Sequence, residues 1–311
     1  MKHFIYILIT LLSFSAVKGQ NYVDILKVNA STTPDNAFDT SSTKTKIDQL
    51  DVDLTIPIKI NERFSIISGV MYETFQTKLF EDGNVKTFGS AALKIGANKQ
   101  FNDHWSGTVV FLPKIASDYK AISGKDFQAG VIGIMKYKKS DNKNFKFGLY
   151  YNSELLGPFF VPMVGMYYLS PNKKFETNIM LPLQADVNYK LIPFMHVGAN
   201  FNGQIRSYHL TDVHSAYHST YIARSTNEFY AYLKFNVTKS LSITTKVGQS
   251  LGRSYKVFEE GDKVTCGLPA TFIGGKRQQL NSNFSNGLIF QASLLFRIHL
   301  DKKPTVQTNK E

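Results

Sequence analysis

Cysteine is all but missing from this 311-residue chain, with Cys266 as its only representative. One thiol excludes a disulfide framework, and Cys266 lies too far from the start of the chain to carry a lipid at a processed N-terminus, so it reads as a free loop thiol. Tryptophan is also scarce, with a single residue against 24 Phe and 16 Tyr. Beyond the first residues, no stretch approaches the roughly 20 consecutive apolar residues of a membrane-spanning helix, so any membrane form of this protein has to be a barrel. The sequence has no internal repeat, low-complexity tract or sign of a second domain. A compact basic motif is missing too, despite a formal net charge of +12. Lys138, Lys139, Lys143 and Lys146 surround one turn, Lys173 and Lys174 fall in another, and Lys302, Lys303 and Lys310 lie in the tail. No nucleic-acid partner is expected from that scatter.

The chain opens with Lys2, an apolar run from Phe4 to Leu12 and small residues before a plausible cut after Gly19. This is the pattern of a secretory signal peptide, residues 1–19, which is set aside from the fold. The whole sequence is 43% hydrophobic, enough for one large ordered domain. Its clearest stretch is Leu50 to Ile60, where Leu50, Val52, Leu54, Ile56, Ile58 and Ile60 alternate with Asp51, Asp53, Thr55, Pro57 and Lys59. Period two means a strand with one apolar and one polar face.

The same alternation predicts strands at 22–30, 45–60, 63–76, 86–101, 105–113, 127–138 and 145–153, then at 160–169, 174–181, 183–190, 193–207, 228–237, 241–252 and 286–299. Short polar turns alternate with long loops, the longest being 253–285. The segment KFETNIMLPLQADVNYKL reads either as one long strand or as a hairpin bent at Pro182; only the hairpin keeps the long loops on one side, so it is counted as two strands. Pro57 lacks a ladder donor and suits a rim or a bulge. The expected fold is all-β: a transmembrane antiparallel up-and-down barrel of about 12 to 14 strands. It occupies residues 20–300, with a polar periplasmic tail at 301–311. A soluble sandwich has the same alternation, but the export signal, loop rhythm and strand number favour the barrel, which turns its apolar face to lipid.

The inward set on this reading begins with Asp51, Asp53 and Lys59 of the second strand, and Glu176 and Asp186 around the Pro182 hairpin. It continues with His196 and Arg206, then Lys234, Lys246 and Arg297. These side chains either line a water-filled passage or pair with one another and plug it. His209, His214 and His218 fall in a predicted loop with Asp212, Ser215 and Ser219, where a metal site or a Ser-His hydrolase is conceivable. No pair has the rigid spacing of a zinc motif, so solvated loop residues are the better account and neither metal nor catalytic residue is assigned. Gly274-Gly275-Lys276 lacks the strand-then-helix context of a phosphate loop, and no cofactor is expected.

The last strand ends QASLLFRI, placing Gln291, Ser293, Phe296 and Ile298 at the spacing of the assembly signal of outer-membrane barrels. Ser293 stands where Gly is usual, Ile298 where an aromatic is usual, and a tail follows. With the leader ending in VKGQ, the stretch DLTIPIKI and the segment LPLQADVNYKL, the mature chain resembles an uncharacterised family of outer-membrane β-barrel proteins common in Bacteroidota. That resemblance implies the outer membrane of a Gram-negative bacterium, with lipid and the barrel-assembly machinery as partners, and offers no catalytic motif. The leading functional expectation is a porin-like passage for small solutes. The alternatives are a surface lipid-modifying hydrolase using the His209–His218 loop, or a non-conducting binding or structural barrel.

Overall fold

The computed structural model describes residues 22–211, 219–269 and 271–299. The leader, the tail from 301, His214 and His218 lie outside the described residues. The strands are β1 (Tyr22–Ala37), β2 (Lys44–Asn61), β3 (Phe64–Thr77), β4 (Lys86–Gln100), β5 (Trp105–Ser117) and β6 (Phe127–Ser140). There follow β7 (Lys143–Glu154), β8 (Gly157–Leu169), β9 (Phe175–Leu181), β10 (Gln184–Ile192), β11 (Met195–Leu210) and β12 (Thr220–Asn236). The last are β13 (Leu241–Ser250), β14 (Ser254–Glu259), β15 (Cys266–Leu268), β16 (Thr271–Ile273) and β17 (Leu288–His299).

Strands β1 to β13 follow one another around the wall, and β17 closes it by pairing with β13 on one side and β1 on the other. The result is a closed 14-strand antiparallel barrel. Tyr22 pairs with His299 at one end, here called the near end. Near-end turns are two to five residues long. At the far end, Leu155–Leu156 joins β7 to β8 as a tight turn where the predicted strands left residues 154–159 as a loop, and Pro182–Leu183 joins β9 to β10 as the expected hairpin. Gly157 and Pro158, which lie before the predicted strand at 160–169, open β8. Pro57 lies past Leu26–Leu54, the last β1–β2 pair on that side, where the ladder requires no donor from it.

Alternation decides which face meets which medium. Ile56 on β2 is 44% exposed, Val109 on β5 58%, Phe229 on β12 46% and Phe290 on β17 48%, and all point out of the barrel. Their inward neighbours are polar: Thr55, Thr108, Glu228 and Gln291. A closed barrel with apolar side chains outside and polar ones inside is stable only with hydrocarbon around it, so the strands cross a membrane and the sandwich alternative falls.

The far half departs from an ideal cylinder. The β9–β10 hairpin is short: its highest pairs are Val164–Leu181 with β8 and Gln184–Asn202 with β11. Above that level β11 has no wall strand beside it and swings into the lumen, taking with it the upper half of β12 and the segment β14, which pairs with that half. The bend crosses all three strands at one height. Gly203 opposes Asn227, the Leu251 amide donates to the Asn227 carbonyl at 2.8 Å, and Gly252 separates β13 from β14 at φ +64°. A side chain at Gly203 would meet the Pro182 carbonyl oxygen at 2.7 Å, and the left-handed φ at Gly252 suits glycine, so both glycines are dictated by the bend.

This flap (204–210, 220–226 and 254–259) is buried on both faces. One face carries Tyr208, Leu210, Ile222, Tyr255 and Val257 against Ile47, Phe75 and Phe88 of the β2–β4 wall. The other packs Tyr221 and Phe258 on Leu156 and Val264. The free edge of β11 is also satisfied, as buried backbone groups require. The Asp118 amide donates to the His209 carbonyl at 3.1 Å, the Gln128 amide group donates to the Ser207 carbonyl at 3.0 Å, and the Ser207 amide donates to Glu154 at 2.6 Å.

These observations correct the sequence reading. Residues 208–210 and 220–227, expected in a loop, are strand, and Lys114 to Ser117 belong to β5. His209 is a buried residue of β11 and not part of an exposed histidine loop.

Candidate functional site

The lumen divides at the bend into a lock above and a vestibule below. Glu73 of β3 anchors the lock, because period two points it inward beside Phe75 and the flap brings two arginines onto it. Its carboxylate accepts from the guanidinium groups of Arg206 and Arg224 and from the Tyr208 hydroxyl, the last at 3.0 Å. Arg224 also donates to Gln49 and stacks over the Phe75 and Tyr255 rings at 4.8 and 5.4 Å. Gln49 in turn donates to Asp51 at 2.9 Å. A second anchor is Glu154, which accepts from Lys114 at 2.9 Å and from the Ser207 hydroxyl at 2.5 Å. Desolvated charges of this kind persist only when fully paired, so the lock ties flap to wall through groups that cannot be left exposed to a dry interior.

Below the lock, a polar vestibule with a cavity of about 180 Å³ lies toward the near end. Glu176 and Asp186 line it from β9 and β10, while Lys234, Lys246, Arg297 and Lys27 line it from β12, β13, β17 and β1. Of the inward candidates named from the sequence, Glu176, Asp186, Lys234, Lys246 and Arg297 therefore meet in one cavity, and Arg206 joins the lock. Asp53 pairs with Lys94 at 2.5 Å, and Lys59 sits at the near rim against Glu62 at 2.7 Å. His196 bridges Asn188 and Asn236 at 3.2 and 3.1 Å. Glu73, Lys114, Glu154 and Arg224 were missed. For Glu73 inward parity in a predicted strand was the available signal, whereas Lys114, Glu154 and Arg224 lay outside the predicted strands.

His209 Nδ1 lies 2.7 Å from Asp126 Oδ1, and its Nε2 has no hydrogen-bond partner. A hydrolase needs a hydroxyl at that nitrogen, and none lies within hydrogen-bond distance of it among the described residues. Among the described residues, no group of three or more His, Cys, Asp or Glu is arranged to hold a metal ion. At the far rim, outside the hydrocarbon, donation from Lys125 at 2.7 Å and from Ser219 holds the Glu260 carboxyl below its usual range. Thr40 does the same for Glu81.

A family model matches residues 16–288, most of the chain. The chain belongs to that family, the domain of unknown function DUF6268. No curated protein matches it by sequence. The DUF6268 chain is similar in fold to the COG4313 outer membrane channel from Pseudomonas putida F1, at TM-score 0.45 and 6% identity over 92% of this chain and 98% of that one. It is also similar to the TodX monoaromatic hydrocarbon channel in its deltaS2 mutant form, at TM-score 0.39 and 11% identity over 93% and 92%. A FadL homologue from Pseudomonas aeruginosa gives TM-score 0.34 and 10% identity over 89% and 90%.

Proposed function

We propose that the protein is an outer-membrane channel for small polar solutes, shut in this conformation by the inward-folded flap. The observation that carries the reading is the bend line through Gly203, Asn227 and Gly252, which lets three paired strand segments move as one body between a wall position and the lumen. A permanent plug has no need of such a line. On this reading the barrel sits in the outer membrane of a Gram-negative bacterium with its near end in the periplasm, as even-stranded bacterial barrels do. The leader is removed on export, and the barrel-assembly machinery receives β17. Phe296 and Ile298 face lipid there, and Gln291 and Ser293 donate inward to Asn29 at 3.1 and 2.7 Å.

The test uses the backbone neighbours Ser117 and His209, which pair across the closed flap. In a Cys266→Ser background, Ser117→Cys with His209→Cys places two thiols within disulfide reach. The parent should give discrete conductance steps in planar bilayers; the oxidised variant should be silent, and reductant should restore the steps. A parent silent under all voltages, or a locked variant that conducts as well as the parent, removes the channel reading. A silent but correctly folded parent favours the binding or structural barrel.

A further inference from the structure

The ionised groups of the vestibule are sorted by wall. Glu176 and Asp186 come from the adjacent strands β9 and β10, whereas Lys234, Lys246 and Lys27 come from β12, β13 and β1. Arg297 and Asp24 are spent on each other at 2.6 Å. The rest are not. Among the described residues, neither carboxylate has a cation within ion-pair distance: Glu176 accepts from the Tyr22 hydroxyl at 2.7 Å, and Asp186 accepts from the Tyr232 hydroxyl at 3.1 Å. The three lysines likewise have no carboxylate within that distance, and Lys246 donates only to Asn200, at 3.2 Å, while lying over the Tyr230 and Tyr232 rings.

The contrast with the lock is informative. Strands β11 and β12 run through both lock and vestibule, yet the charges of the lock are mutually neutralised and those of the vestibule are held apart by hydroxyls and amides. Charges held apart across a small cavity create a transverse field. A solute carrying one charge is attracted to one wall and repelled by the other. A solute carrying both, separated by a few atoms, satisfies the two walls together.

We propose that the vestibule binds small zwitterions, namely amino acids and short peptides. The ligand carboxylate lies toward Lys234 and Lys246, and its ammonium lies toward Asp186 and Glu176. The amide groups of Asn178, Asn188, Asn200 and Asn202 border the same cavity and supply neutral donors and acceptors for a peptide backbone. This names the solute class of the passage proposed above and rests on that reading for its transport meaning, but binding is measurable without conduction.

The experiment is calorimetric titration of the detergent-purified, full-length protein with L-alanyl-L-alanine, with acetate and with methylammonium. The dipeptide should bind at least tenfold more tightly than either singly charged probe. Lys246→Met and Asp186→Asn should each weaken the dipeptide at least tenfold. Lys246→Met should leave methylammonium unchanged, and Asp186→Asn should leave acetate unchanged. Heat-modifiable migration on unboiled gels checks the fold of each variant, and Glu176→Gln replaces Asp186→Asn if the latter does not fold. Acetate or methylammonium binding as tightly as the dipeptide, no heat with any probe, or full dipeptide affinity in both variants overturns the proposal. Dipeptide binding by a non-conducting barrel removes the passage and keeps the site, whereas conduction without dipeptide binding does the reverse.

Discussion

Glu73 sits where two guanidinium groups and a tyrosine hydroxyl converge, and at 2% exposure it leaves no room for water to take over its role. Replacing its carboxylate by an amide of the same shape leaves the buried Arg224 and the partly exposed Arg206 without their shared anion. Breaking one member of a buried ionic cluster typically costs about 3 to 5 kcal/mol, whereas replacing the whole cluster by apolar groups is often neutral. Glu73→Gln should therefore lower the stability of the barrel in lipid vesicles by about that amount, read from its urea unfolding midpoint. Adding Arg206→Met and Arg224→Met should recover most of the loss. If Glu73→Gln unfolds at the parent's midpoint, the lock is not what fixes the flap. The cluster also shows why a functional residue can hide in plain sequence. Glu73 stands in a predicted strand at inward parity, but Arg224 gains its meaning only from a fold-back that brings β12 to β3, 151 positions away in the chain.

At the scale of elements, the flap is held by packing and tuned by its bend. Gly252 is left-handed at φ +64° with open space where a Cβ would stand, so a substitution there tests backbone strain free of any clash. Gly252→Val should cost about 1 to 2 kcal/mol, most of it borne by β14, because a left-handed β-branched residue is unfavourable by that order. Amide exchange at residues 254–259 should then accelerate by about tenfold while β13, below the bend, keeps its protection. Equal exchange in the two segments would mean that the flap does not open independently of the wall. The elements legible in the sequence were those with lipid on one face and water on the other, such as β2, β6 and the lower halves of β11 and β12. The Pro182 hairpin was legible too, since only a hairpin kept the loops in step, and it is where the wall becomes short. The flap strands were not, because both of their faces are buried in protein: Tyr221, Ile222 and Tyr255 sit beside Arg224 and Thr226 with no alternation of media to report. Alternation records a difference between two environments, and a strand enclosed on both sides has none to record.

For the molecule as a whole, the number of strands and the outward face followed from period two, while the state of the lumen did not, since each strand's pattern says which side faces inward and nothing of what crosses the interior. Closure is the one global property that every strand depends on. β17 pairs along nine positions with β13 from Leu241–Phe296 to Gln249–Leu288, and along β1 from Tyr22–His299 to Thr32–Phe290. Removing it frees two ladders at once inside hydrocarbon, where each unsatisfied backbone group costs several kcal/mol, so the remaining strands have no stable open form. A chain ending at Leu300 keeps every one of those pairs and should insert as a protease-resistant barrel. A chain ending at Ser285 lacks β17 entirely and should be recovered only as aggregate or degradation product. Fractionation of the two truncations, followed by protease treatment of the membranes, decides between them. Stable membrane insertion of the shorter chain would require β1 and β13 to meet directly. Because β1 and β13 each run antiparallel to β17, that pairing would have to be parallel, and it could repeat neither of the ladders lost with β17.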